Sequence, residues 1–250
     1  MPLNIEKPVD SAFICTIVSD AGMGKTTLAA TFPSPVFIRA EDGMQSIPYE
    51  QRPDAFPLIS KVEDLWEQFS QLIKEDHDKQ TVVIDSVTAL DRLFVRYIVD
   101  NDPKQPKSIN QALGGYGAGL QAVATMHQRV RNACGMLQKK GINVVFLAHA
   151  ETETIELPDS DPYTRYNVRM NKRSQAPYID DSDLVGFIKL QTFYRGEDGE
   201  RKKATSTGAR QLVTYATANN ISKNRYGIEQ DLMLEKGKNP LVGIVPALTK

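Results

Sequence analysis

The stretch "AFICTIV–SDAGMGKTT–LAATF", residues 12–32, constrains the fold of this chain more than any other. A short apolar, β-branched run predicts a buried strand. A glycine-containing loop follows, and then the start of a helix. Backbone N–H groups of such a loop wrap phosphate oxygens, and the helix turns its positive end toward the anion. In that geometry Ser19, Ala21, Gly22, Met23, Gly24, Lys25, Thr26 and Thr27 form the nucleotide cradle. Lys25 reaches the β and γ phosphates, and the Thr26 hydroxyl serves Mg2+. The strict pattern asks for glycine at position 19, where this chain has Ser19.

The rest of the chain repeats the alternation. "SPVFIRAEDG" (34–43), "TVVIDS" (81–86) and "INVVFLAH" (142–149) predict strands. Residues 62–76, the segment from 87 and residues 119–140 predict helices by apolar spacing. Strands alternating with helices predict an α/β fold, a doubly wound and mainly parallel sheet. "DLVGFIKLQTFYR", "GEDG" and "ERKKATSTG" predict a C-terminal β-hairpin extension, with "QLVTYATA" as a further strand. Residues 100–119 read as a mobile loop and 150–181 as a long loop without periodicity. The tail "EQDLMLEKGKNP" is polar and is expected to order with a partner. We expect a single domain over 1–250, with a core of about 12–217 and a terminal segment of 218–250.

Charge is unevenly spread. Residues 165–225 hold twelve basic and six acidic side chains, a net +6 in a chain of −1, so the remainder carries −7. A basic region on an acidic body suggests a polyanionic partner. Cys15 and Cys134 have no metal-site spacing and read as reduced core thiols of a cytoplasmic protein. The N-terminal "MPLNIEKPVD" lacks the apolar stretch of a signal peptide, and no run approaches a membrane span.

Asp85, ending a core strand beside the loop, is the expected Mg2+-side carboxylate, a role compatible with capping the helix from 87 at the same time. A guanine-selecting "NKxD" pattern is absent, which favours ATP as the nucleotide; "DLVG" (183–186) reads as coincidence. Tyr163, Arg165, Tyr166, Arg169, Lys172 and Arg173 interleave aromatic and basic side chains. That composition suits single-stranded DNA by combining phosphate neutralisation with base stacking.

"TVVIDSVTAL" and "VFIRAEDG" resemble core strands of the RecA-like ATPases. The resemblance implies that Glu41 polarises the attacking water, with Asp42 as the adjacent alternative. "NVVFLAH" resembles the strand whose last polar residue senses the γ-phosphate. A histidine there, His149, is typical of Sak-type phage annealing ATPases. By position, "GGYGAG" (114–119) and 150–181 resemble the two DNA-binding loops of that class. "KNRYG" resembles the "KNRFG" motif of the RadA branch, which implies that Lys223 and Arg225 reach a neighbouring subunit's nucleotide. With about a dozen residues before the first strand, the N-terminal domain of larger recombinases is not expected.

The resemblance covers most of residues 12–228. It implies a phage-encoded, DNA-dependent ATPase using ATP and Mg2+ in the host cytoplasm. Its implied partners are single-stranded DNA, further copies of itself in a ring or filament, and a single-stranded-DNA-binding protein, with no membrane. The competing readings are a P-loop kinase or other small-substrate phosphotransferase, and a nucleotide-gated DNA loader with negligible turnover.

Overall fold

Strand β1 (Ile14–Ser19) is buried along its whole length, as its apolar run requires. It lies between two parallel neighbours, β5 (Asn143–Ile155) and β7 (Leu184–Arg195). Beyond β5 follow β4 (Thr81–Asp85), β2 (Pro35–Arg39) and the short β3 (Asp54–Ala55), all parallel. Beyond β7 the sheet turns antiparallel through β8 (Lys203–Val213) to β10 (Leu232–Met233). Two strands lie off this path: β6 (Tyr163–Val168) pairs with the far end of β5, and β9 (Lys223–Asn224) with the start of β7. This computed structural model describes residues 5, 7, 11–159, 161–195 and 203–249. The predicted turn "GEDG", Lys202 and most of the N-terminal stretch lie outside the described residues.

Each face of the sheet has its own cover. Ile14, Val18, Ile84, Val144 and Phe146 point toward α2 (Val62–Lys74), α3 (Val87–Asp100) and α4 (Ala118–Lys139). Phe13, Cys15, Ile17, Val83 and Val145 point the other way, toward Leu28 and Ala29 of α1 (Lys25–Ala29). Burial on both faces is why these strands read as unbroken apolar runs rather than alternating ones. Both cysteines are buried and free, and burial pushes both thiol pKa values up, Cys134 to about 12.

Three expectations need correction. The polar tail packs on this chain: Leu232, Leu241, Val245 and Leu248 are buried in the second core. Its apolar side chains follow no helix or strand period, so periodicity could not find them. Residues 150–181 are not a long loop. β5 runs on to Ile155 and returns as β6, and the chain then enters the short helix α5 (Ala176–Ile179). Glu151, Thr152, Glu153 and Thr154 on β5, and Thr164, Arg165 and Asn167 on β6, put polar side chains on both faces of the paired strands, which erases the apolar alternation even though Val168 is buried in the core. Finally, "QLVTYATA" supplies no separate strand, because Gln211–Val213 simply completes β8. Gly208, at φ +81°, sits where the β7–β8 register shifts, so it marks a bulge rather than a break.

A buried polar set ties the returning segment to the core. Tyr178 lies 2.6 Å from His127 Nδ1, and His127 Nε2 lies 3.0 Å from Asp91. The Thr16 hydroxyl on β1 donates to the Tyr178 carbonyl at 2.6 Å. Among the described residues no helix is long and apolar enough to cross a membrane.

Candidate active site

The carboxyl ends of the parallel strands meet at one edge, where open α/β sheets bind ligands. Register aligns Ser19 of β1 with His149 of β5, and Asp85 of β4 with Leu147. Strand β5 therefore lies between the loop strand and the Asp85 strand. The Asp85 carboxylate still reaches across and accepts a hydrogen bond from the Thr26 hydroxyl at 2.9 Å. It does not cap α3; Ser86 does, accepting from the Ala89 N–H at 3.2 Å.

The loop is shaped for close approach. Gly24 holds φ at +89°, and a Cβ there would stand 2.4 Å from the Arg210 guanidinium. Lys25 is buried and donates to the Ser19 carbonyl at 3.1 Å, the Ser19 hydroxyl at 3.2 Å and the Asp20 carbonyl at 3.0 Å. Serine in place of glycine thus gives the lysine an extra acceptor. Burial lowers the Lys25 pKa; the carboxylates of Asp85, Glu41 and Asp20 oppose that shift, and the nearby Arg169 charge adds to it. The helix that follows has only five residues, so the attraction for an anion comes from local N–H groups rather than from a long dipole.

Lys25, Thr26, Glu41, Asp85, His149 and Arg210 face one cavity of about 480 Å³, which Ala21, Gly22 and Thr27 also line. Burial pushes the Asp85 carboxyl up to about 6, against the opposing Thr26 hydrogen bond. Glu41 is held below the usual carboxylate range, chiefly by its 2.9 Å hydrogen bond to His149 Nε2. Arg92 of α3 lies 3.6 Å from the other Glu41 oxygen. Asp42 lines the same cavity but turns to Arg39 at 3.6 Å and Gln45 at 3.0 Å.

The donor set fits Mg2+. Thr26 and Asp85 offer two hard oxygens side by side, and Gly43 leaves the space before them clear. A Cβ at position 43 would stand 2.9 Å from the Thr26 hydroxyl and 3.0 Å from Asp85. Mg2+ takes few protein oxygens and completes its shell with phosphates and water. When bound, the ion would neutralise charge on the phosphate oxygens.

This geometry agrees with the comparison to known families. A family model described as AAA domain matches residues 12–226. The chain belongs to that family. It is a P-loop ATPase domain, a class that generally binds ATP and Mg2+. No curated protein matches it.

The other predicted residues of this AAA domain divide into groups. Arg165 and Lys172 converge on Glu153, at 2.8 and 3.1 Å. Tyr166 stacks on Phe187 with ring centroids 4.9 Å apart. Arg173 donates to the Gly117 carbonyl at 3.0 Å, joining the hairpin's return to the "GGYGAG" segment, where Tyr116 is fully exposed. Tyr163 opens β6, and Arg169 lies exposed just past its end. The Arg169 N–H donates to the His149 carbonyl at 2.8 Å.

Lys223 and Arg225 lie at the opposite end of the sheet. Lys223 donates to the Ile179 carbonyl at 3.2 Å and also to that of Asp180, and Arg225 pairs with Asp183 at 2.9 Å. Asp183 in turn accepts from the Ile14 N–H at the start of β1. The five-residue advance to Ser19 is roughly 16 Å, so neither cation reaches its own loop.

Arg210, which the sequence reading counted only as charge, does reach it. From the antiparallel strand β8 its guanidinium donates to the Met23 carbonyl at 3.2 Å. Nothing local marks it, because the partner lies 187 residues away.

Proposed function

We propose that this AAA domain hydrolyses ATP in response to single-stranded DNA, assembling with its own copies on the strand to promote annealing or strand exchange. One continuous linkage carries the reading. His149 joins Glu41 through its side chain and the Arg169 N–H through its carbonyl. A change at the terminal phosphate therefore has a short covalent and hydrogen-bonded path to the β5–β6 hairpin. Arg173 extends that path to Gly117, so the two DNA-loop candidates are tied to each other. The basic balance of residues 165–225 supplies attraction for a polyanion.

In the competing phosphotransferase reading, the arginines of 165–173 form a lid over a small substrate. The ties of Arg165 to Glu153 and of Arg173 to Gly117 favour a fixed surface instead. The test is ATP turnover measured with and without single-stranded DNA across a salt series. Stimulation that fades with salt supports the proposal. Turnover indifferent to DNA supports the phosphotransferase, and DNA binding without turnover supports a loader. The implied setting is the cytoplasm of a phage-infected cell, alongside a single-stranded-DNA-binding protein.

A further inference from the structure

The two faces of the β5–β6 hairpin differ. Register sets Tyr163 opposite Ile155 and Arg165 opposite Glu153, and alternate residues of a strand share a face. Tyr166 lies on the other face, stacked on Phe187. The Arg165 face closes against α5 and Ile221 around a cavity of about 270 Å³. Ala176, Ile179 and Ile221 give this cavity apolar walls, and Glu153, Arg165 and Asn167 supply polar groups. The Ile221 wall is fixed, because its N–H donates to the Tyr166 carbonyl at 3.0 Å.

We propose that this cavity takes one nucleobase turned out of the bound single strand, and that it selects a base carrying both an amino group and a carbonyl, cytosine or guanine. The proposal rests on the reading that single-stranded DNA runs along this hairpin. Size is its first support. Pockets for drug-sized ligands measure about 300–1,000 Å³ and combine apolar walls with a few polar groups. This one therefore has room for a single base rather than a whole nucleotide. Unstacked bases of single strands are read in this way, on their hydrogen-bonding edges.

The polar groups present one open acceptor and one open donor. Glu153 Oε1 accepts from Arg165 at 2.8 Å and from Asn167 at 2.9 Å, and Lys172 lies 3.1 Å from Oε2. A carboxylate offers about four lone-pair sites, so Oε2 has one left for an amino group. The Arg165 bond holds the Glu153 pKa below the usual carboxylate range, which keeps the group an acceptor. The Arg165 Nε–H is buried with no acceptor among the described residues. An unpaired buried donor is costly, and a base carbonyl would satisfy it. Adenine has no carbonyl and thymine no amino group, so neither engages both. Tyr163, one step along the same face, is placed to stack on the adjoining base.

The experiment measures affinity, with Mg2+ and a non-hydrolysable ATP analogue, for labelled dT oligomers, plain or carrying one dC, dG, dA or 2-pyrimidinone, which is cytosine without its amino group. Wild-type protein should bind the dC and dG oligomers about fivefold or more tighter than plain dT. The dA and 2-pyrimidinone oligomers should bind like dT. Glu153→Gln, which turns an acceptor into a donor, should abolish that preference. Ala176→Trp, which fills the cavity from an exposed position, should abolish it too and serves if Glu153→Gln does not fold. Equal wild-type affinity for all oligomers overturns the base pocket while leaving DNA binding intact. So does a preference that survives in either folded variant. Free dCMP binding as tightly as the dC oligomer would make this a free-nucleotide site and overturn the strand reading of the cavity. If no oligomer binds, the DNA reading itself falls, and the pocket with it.

Discussion

Glu41 Oε1 lies 2.9 Å from His149 Nε2, and the carbonyl of the same histidine accepts the Arg169 N–H at 2.8 Å. One residue thus touches both the acid at the phosphate end and the root of the β5–β6 hairpin. His149→Ala should bind nucleotide like the wild-type protein yet lose the effect of nucleotide on DNA affinity. DNA titrations with and without an ATP analogue check this. A variant that keeps the wild-type nucleotide dependence would return His149 to a purely structural role.

Glu41 and Asp42 are both carboxylates in the cavity, but only Glu41 engages His149 and Arg92. Glu41→Gln should keep nucleotide affinity and lose hydrolysis by about 10²–10⁴-fold, the usual contribution of a positioned base. Asp42→Asn should stay near wild-type turnover. Single-turnover assays on the two variants separate them, and the opposite pattern would move the base one residue along the chain.

Asp85 bears on stability as well as on ion binding. Its folded pKa of about 6 stands above the ordinary 3.8 because the carboxyl is buried. Between those values the folded chain binds the proton more tightly than the unfolded one. Stability from this group is thus fully present below about 3.8 and is lost as pH rises through about 6. A two-unit shift corresponds to about 2–3 kcal/mol at most. Denaturant melts of metal-free protein in chelator should show Asp85→Asn gaining stability relative to wild type from pH 4 to 7. A difference that stays flat over that range would contradict the assignment.

The hairpin cations are not equivalent. Lys172 shares Glu153 with Arg165, Arg173 rests on the Gly117 carbonyl, and Arg169 is exposed. Replacing Arg169, Lys172 and Arg173 together should weaken single-stranded DNA binding. It should also flatten the salt dependence by about 0.7 per lost phosphate contact. Arg169→Ala alone should account for more of the loss than Lys172→Ala, whose charge already faces a carboxylate. An unchanged slope in the triple variant would place the DNA path elsewhere, with Lys202, outside the described residues, and Lys203 of β8 as the next candidates.

Lys223 and Arg225 are held on their own chain by the Ile179 and Asp180 carbonyls and by Asp183, far from their own loop. If they act on a neighbour's nucleotide, a Lys223→Ala, Arg225→Ala variant and a Lys25→Ala variant should each be nearly inactive. Mixed, the two should recover part of the turnover, increasingly with total protein concentration. No recovery despite proven co-assembly would count against action in trans. Full activity of the double variant alone would leave Arg210 as the only described cation outside the loop that contacts it in cis.

The sequence by itself determined the elements whose cause is local. The strand–loop–helix of 12–32 follows from a β-branched run ending in glycines, and α2, α3 and α4 follow from apolar side chains at helical spacing. Lys25 and Thr26 were legible for the same reason, because their role depends on neighbours within a few residues. Tertiary structure alone decided the partners across the sheet. Glu41 meets His149 over 108 residues and Arg210 meets Met23 over 187, through strand order and register that no local period encodes. It also decided the tail, whose leucines and valine are spaced irregularly and become core only because β8 and the second face of the sheet lie beneath them. Periodicity reports which way a side chain turns on its own element; burial against a distant element depends on which strands have already paired.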